Sequence, residues 1–264
     1  TETGIIDVHH LVENLEYDCL QAGVDVVNNC SVTSISHIQK SKEKPSFQVH
    51  TSHGSIDCDI LINSAGLYAP FIANSLENFP RAYIPKYYYG KGNYFKLRKS
   101  KSENVFDRLI YPVPFDGGLG IHSTLDIDGN IKFGPDCTWL QVPAHLQTEE
   151  NMQDPYAFHS TAIDMLALQT FLDSQYNVDE STVDVFYSSI REYYPSLNDG
   201  DLMPDYAGLR PKLVGPGGGT FNDFNIQCHQ QHQIPGLVNL FGVESPGLTS
   251  CLSIAKYVSD RVDM

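Results

Sequence analysis

The segment DCDILINSAG, residues 57–66, restricts the possible folds more than any other part of the chain. Ile56 to Asn63 reads as a buried strand, because an apolar centre without alternation suits a parallel sheet covered on both faces. It runs straight into Ser64-Ala65-Gly66, where small residues let a backbone or ligand come close, and a helix from about Tyr68 to Leu76 is expected just beyond. The pattern recurs near the end: strand Leu237 to Gly242, the turn ESPGLTS, then a helix from Cys251 to Val262. Strand, glycine turn and helix aim backbone N–H groups and a positive helix end at an electron-rich ligand. An ordinary tight turn in the first case, and an ordinary helix capped by Ser245 or Thr249 in the second, give the same local pattern.

Between these modules the pattern changes. From Arg81 to Asp136 the chain alternates in aromatic-rich segments, YYYGKGNYFKL, RLIYPVP, GLGIHSTLDIDG and NIKFGPD, with Asp128-Gly129 as a hairpin signal. An antiparallel sheet is expected there, followed by helices over Thr161 to Leu172 and Val183 to Tyr194. Upstream, Val8 to Ala22 has helical apolar spacing and stops at Gly23. Short strands are expected at Val24 to Val27, Val32 to Ile38 and Phe47 to His50, with Lys40 to Lys44 as a hairpin loop. The fold class is α/β in three segments, 1–80 and 206–264 of one kind and 81–205 of another. GPGGGT at Gly215 to Thr220 lacks a following helical pattern and reads as a loop.

With 264 residues the chain can bury a large core. A net charge of -15 argues against a nucleic-acid partner, which needs clustered Lys and Arg. No stretch approaches the roughly 20 apolar residues that span a bilayer, so no transmembrane segment and a soluble chain are expected, with peripheral membrane association left open. The six cysteines are scattered without a CxxC pair, which suits reduced structural thiols. His229 and His232 lack a third nearby ligand, and no metal site is expected. The sequence opens on Thr1 without a signal-like start, so a longer parent chain is expected.

Taken in order, TGIIDVHHLVENL, DILINSAGLYA, YGKGNYFKL, RLIYPVP, GIHSTLDIDGNIKFGPD, YAGLRPKL and ESPGLTSCLSIAKYV resemble the FAD-dependent D-amino-acid-oxidase-like superfamily, most closely the L-2-hydroxyglutarate dehydrogenases. The resemblance covers nearly the whole chain. It implies a discontinuous Rossmann-like FAD-binding domain, in segments 1–80 and 206–264, and an antiparallel-sheet substrate domain over 81–205. The FAD domain is incomplete here, because nothing matches the strand, GxGxxG and helix that hold the FAD pyrophosphate. The implied reaction oxidises the C2 hydroxyl of L-2-hydroxyglutarate, a 2-hydroxy dicarboxylate, to the ketone of 2-oxoglutarate. Hydride passes to flavin N5, and the electrons leave to a separate acceptor. Eukaryotic relatives imply a mitochondrial location; otherwise it is cytoplasmic.

The resemblance also implies roles for individual residues. Arg210, in AGLRP, matches the position that grips a substrate carboxylate, for which a planar guanidinium is suited; a salt-bridged structural arginine is the plain alternative. His122 is the candidate acceptor of the hydroxyl proton. Lys91, in GKGNYF, is a candidate for the second carboxylate, with Tyr94 and Tyr111 lining the same pocket; either tyrosine is equally at home in a core. For FAD, Val32 matches the adenine region and Ala65 and Gly66 the phosphate region. Gly247, Leu248 and Thr249 lie where backbone donors face the flavin pyrimidine oxygen. Two rivals stand beside this reading: a relative acting on an amino acid or another 2-hydroxy acid, and a non-catalytic chain that keeps the fold without its cofactor.

Overall fold

The computed structural model describes residues 4–41, 44–98, 105–113, 120–147, 153–160, 164–218 and 223–262. Six helices, α1 (Val8–Gln21), α2 (Ala69–Asn74), α3 (Met165–Ser174), α4 (Val183–Arg191), α5 (His229–His232) and α6 (Gly247–Val262), occur among these residues. The strands are β1 (Val32–Ser41), β2 (Lys44–Thr51), β3 (Gly54–Cys58), β4 (Leu61–Asn63), β5 (Tyr88–Leu97), β6 (His122–Leu125), β7 (Ile131–Gly134), β8 (Thr138–Trp139), β9 (Leu202–Lys212), β10 (Asn225–Gln227) and β11 (Leu237–Phe241). They form two compact units. Unit 1 comprises Thr1–Asn29, Lys91–Thr138 and Ser174–Gly208; unit 2 comprises Cys30–Gly90, Trp139–Asp173 and Leu209–Met264. These boundaries differ from segment ends at 80 and 205: residues 1–29 group with the alternating aromatic strands, and 139–173 with the strand–turn–helix modules.

In unit 2, β1, β2 and β3 form an antiparallel meander, and β10, β11 and β4 a second sheet with β11 at its centre. β11 runs parallel to β4 and antiparallel to β10. The central strand buries Leu237, Val238, Asn239 and Phe241, which is why its sequence does not alternate. The meander joins the end of α2 through Ile35, whose N–H donates to Ser75 O at 3.0 Å and whose carbonyl accepts from Glu77 N at 2.8 Å. Ile35, Phe47, Tyr87, Tyr89, Phe158 and Phe241 share one core.

The expected single strand Ile56 to Asn63 is two strands in the structure. β3 belongs to the meander and β4 to the parallel pair, with Asp59 and Ile60 between them. β4 is an edge strand, and Ile62 is 45% exposed, so the covering on both faces inferred from composition holds for β11 but not for β4. Val24 to Val27 form no strand and are exposed. β1 and β2 extend into the stretch Lys40 to Lys44 that was expected to be loop. α6 starts four residues before Cys251, so Gly247 to Ser250 are its first turn. The helix expected from Thr161 is observed from Met165, with 161–163 outside the described residues.

In unit 1, β6, β7 and β5 are antiparallel neighbours and β9 pairs with β5. α4 buries Phe186, Tyr187 and Ile190 in a core shared with Phe95, Ile131 and Phe133; the Phe95 and Phe186 rings lie 4.6 Å apart. The β6–β7 turn closes as Asp128-Gly129 predicts, with Gly129 at φ 77 and Asp126 accepting from Asn130 N at 2.8 Å. α1 keeps its expected bounds, capped by Asp7, whose carboxylate accepts from His10 N at 3.1 Å, but it buries no residue.

His232, in α5, is buried edge-on to Phe79, and its Nδ1 accepts from Ile234 N at 3.2 Å. Burial pushes this imidazole below its ordinary 6.5, so the folded chain holds it neutral. Unfolding then takes up a proton between the folded value and 6.5: the stabilisation is complete above 6.5 and declines as pH falls through that window. Urea unfolding between pH ~7.5 and ~5 is expected to show stability falling on the acid side, and His232→Phe to flatten that slope.

Candidate functional site

Unit 2 brings the two strand–turn–helix modules side by side. Register pairs Leu61 with Leu237, Ile62 with Val238 and Asn63 with Asn239, after which β4 ends while β11 continues to Phe241. Ser64-Ala65-Gly66 and the 242–249 segment therefore leave the same edge of the sheet, the position where open α/β sheets place ligands. The Asn63 amide donates to Asn239 Oδ1 at 2.9 Å and to Ala69 O at 2.8 Å, while its Oδ1 accepts from Ala65 N at 3.3 Å. Gly66 then takes φ 54, with open space where a Cβ would stand. Tyr87, whose hydroxyl accepts from Gly242 N at 2.8 Å, anchors the second turn; burial pushes this phenol far above its ordinary value. Gly247, Leu248 and Thr249 open α6, where first-turn N–H groups have no helical carbonyl to reach. Val32 opens β1 and, like Ala65, packs on the larger core of the unit.

Arg210 lies on the part of β9 that belongs to unit 2. It stands one pleat from Lys212, so the two side chains leave the strand on one side. Lys212 pairs with Glu244 at 2.9 Å and lies over the Trp139 ring at 5.8 Å. The Arg210 face of β9 is thereby tied to the turn that enters α6. Among the described residues the half-buried Arg210 guanidinium has neither a hydrogen bond nor an ion pair, unlike Lys212. A separate pocket of about 400 Å³ in this unit is lined by Tyr88, Asp154, Tyr156 and the 213–218 loop. There the Tyr88 hydroxyl donates to Asp154 at 2.8 Å, and burial, reinforced by that carboxylate, pushes its phenol up to about 12. None of the site candidates named from sequence lines it, although the loop at Gly215 does.

In unit 1, His122 begins β6 opposite Gly134 of β7. Its Nδ1 lies 3.2 Å from Gly120 O, and because a carbonyl only accepts, Nδ1 is the donor in that contact. Tyr111 stacks on the imidazole at 4.3 Å with 12° between the planes. Tyr94 stacks in the same way on Tyr206, at 4.3 Å and 12°, and its ring closes over Gly134, where a Cβ would meet it at 2.8 Å. Tyr111, His122 and Tyr94 thus fall along one stretch of sheet.

Lys91 does not join them. It stands three positions before Tyr94, so the two point to opposite faces of β5. Its ammonium, on a residue only 9% exposed, donates to Asn177 O at 2.7 Å beside Asn93, whose Oδ1 accepts from Asp179 N at 2.9 Å. Nothing in the sequence distinguished this anchor from a ligand-facing cation. The Asn63 and Asn239 pair was also missed, although an amide at the same depth in two apolar strands is a legible signal.

A family model described as DAO, FAD dependent oxidoreductase, matches residues 1–261. The mitochondrial L-2-hydroxyglutarate dehydrogenase of Arabidopsis thaliana is 40% identical over 203 residues, which is 77% of this chain and 37% of that protein. The L-2-hydroxyglutarate dehydrogenase of Indibacter alkaliphilus is 26% identical over 266 residues, 98% of this chain and 63% of its own length. Among solved structures, dithionite-reduced L-alpha-glycerophosphate oxidase from Mycoplasma pneumoniae, with FAD bound, shares the fold. It matches with a TM-score of 0.68 at 21% identity, over 96% of this chain and 55% of that one. The chain therefore spans from 37% to 63% of the length of these relatives.

Removing the Asn63 amide leaves a buried carbonyl on Asn239 without its donor. Asn63→Ala is expected to cost about 1–3 kcal/mol of unfolding free energy, read as a lower urea midpoint at unchanged slope.

Proposed function

The chain belongs to the DAO family of FAD dependent oxidoreductases, and from that premise we propose that it is the larger part of an FAD-dependent L-2-hydroxyglutarate dehydrogenase. The observation that carries the reading is Arg210: a half-buried guanidinium with no protein anion among the described residues, on a strand tied to the α6 turn. A desolvated cation left without a partner is costly, and a substrate carboxylate offsets that cost with two parallel hydrogen bonds.

What supports FAD at the strand ends is the chemistry of the groups there. Ala65 and Gly66 are small, and Gly66 leaves open space. Leu248 and Thr249 offer N–H donors, and Val32 stands for the adenine side. When bound, FAD supplies the hydride acceptor at its N5. Arg210 holds the C1 carboxylate and orients C2. As the C2–H bond gives up its electron pair and the C2–O bond becomes a carbonyl, the hydroxyl proton needs an acceptor, and His122 is the candidate for that role. The N–H donors that open α6 would hold part of a bound flavin and suit the negative charge of its reduced form. We assign Lys91 to holding the 177–179 segment rather than to the substrate, because of its bond to Asn177 O. Tyr94 stays a lining candidate.

The substrate follows the names of the relatives, which for Arabidopsis thaliana is L-2-hydroxyglutarate dehydrogenase, mitochondrial. Mitochondrial residence and delivery of electrons to a separate acceptor belong to the same reading. No helix among the described residues is long and apolar enough to cross a membrane.

The test is a spectrum of the FAD-loaded protein. Bleaching of the yellow flavin by L-2-hydroxyglutarate supports the proposal; bleaching only by glycine or sarcosine replaces the substrate, and no flavin retained at all rejects the enzyme. Arg210→Lys keeps the charge but loses the fork, and KM is expected to rise about tenfold, against about a hundredfold for Arg210→Ala.

A further inference from the structure

Glu244 is bound to the start of α6 through its backbone and to β9 through its side chain. Its carbonyl accepts from the N–H of Gly247, the first residue of the helix, while both of its carboxylate oxygens accept from the Lys212 ammonium, at 3.0 Å and 2.9 Å. The turn that leads into the helix is held against the same end of β9. Gly242, at φ 65, is closed over by Leu213, whose Cγ stands 2.5 Å from where a Cβ would lie, and its N–H donates to the Tyr87 hydroxyl at 2.8 Å. Lys212 in turn lies over the Trp139 ring at 5.8 Å. The Lys212 and Glu244 side chains are only 23% and 19% exposed, so salt and solvent screen this pair less than one on the open surface. All of these residues belong to unit 2.

An anion beside a helix start is favoured by the field of the helix, but it opposes any further negative charge that arrives there. A cation bonded to it removes that opposition. We propose that Lys212 and Glu244 form a charge pair that sets how readily the flavin is reduced, Lys212 cancelling the Glu244 carboxylate beside the N–H donors that open α6. This rests on the reading that α6 holds the flavin. It also separates two cations on one side of β9: Arg210 serves the substrate carboxylate, whereas Lys212 acts through Glu244 on the cofactor's charge.

The experiment is a spectroelectrochemical titration of the FAD-loaded protein without substrate. Glu244→Gln leaves Lys212 as an uncompensated cation and is expected to shift the flavin midpoint potential upward. Lys212→Met leaves the carboxylate bare and is expected to shift it downward. Each changes the ratio of reduced to oxidised flavin at a fixed applied potential by about threefold or more. The double variant is expected to return close to the wild type. A tether that only braces the fold gives shifts of one sign in the two single variants, because either substitution loosens the same contact. If Lys212→Met lowers the thermal midpoint by more than about 5 °C, Lys212→Gln takes its place. Shifts of one sign, or unchanged potentials, overturn the inference, and bleaching of the wild type by L-2-hydroxyglutarate then leaves the proposed reaction standing. A wild type that retains no flavin overturns both.

Discussion

Two buried amides, Asn63 and Asn239, lock the parallel pair of strands at the point where β4 gives way to its turn. They sit opposite one another at the last register position of the parallel strands, and Asn63 alone satisfies three groups: the partner amide, Ala69 O and Ala65 N. The bonds made by both polar atoms of the Asn63 amide favour one relative position of β4 and β11, while Asn239 Nδ2 is buried without a partner among the described residues. A slip by one residue would part the two amides.

Alternation along strands performs the corresponding sorting in unit 1. On β5, Asn93 and Phe95 face α4 and its core, while Tyr94 faces the side that carries His122 and Tyr206. Gly134 keeps that side open where any Cβ would strike Asn93 O or the Tyr94 ring. Residues that are neighbours in sequence, such as Lys91 and Tyr94, are thus separated in role. Residues far apart, such as Tyr111 and His122, become one unit.

Most of the elements were legible because their causes are local. The α1 stop at Gly23, the β6–β7 turn at Gly129 and the non-alternating run of β11 each follow from a single residue's backbone freedom or from a burial pattern. The break between β3 and β4 was not legible. The run from Ile56 to Asn63 is divided by its pairing partners, the neighbouring β2 for its first part and β11, far away in sequence, for its last. Val24 to Val27 failed for the related reason that β-branched residues alone do not supply a neighbouring strand. Among the site candidates, Gly66, His122 and Arg210 were named through the family resemblance, whereas the direction of Lys91 depended on parity and on a carbonyl 86 residues away.

The chain holds a single tryptophan, and it lies under the Lys212 ammonium that bridges to Glu244. Indole emission is sensitive to a nearby charge, so the protein carries its own optical probe at the root of α6. Any event that loosens or tightens that ionic tether changes the colour or yield of Trp139 fluorescence, and no label has to be attached to follow it.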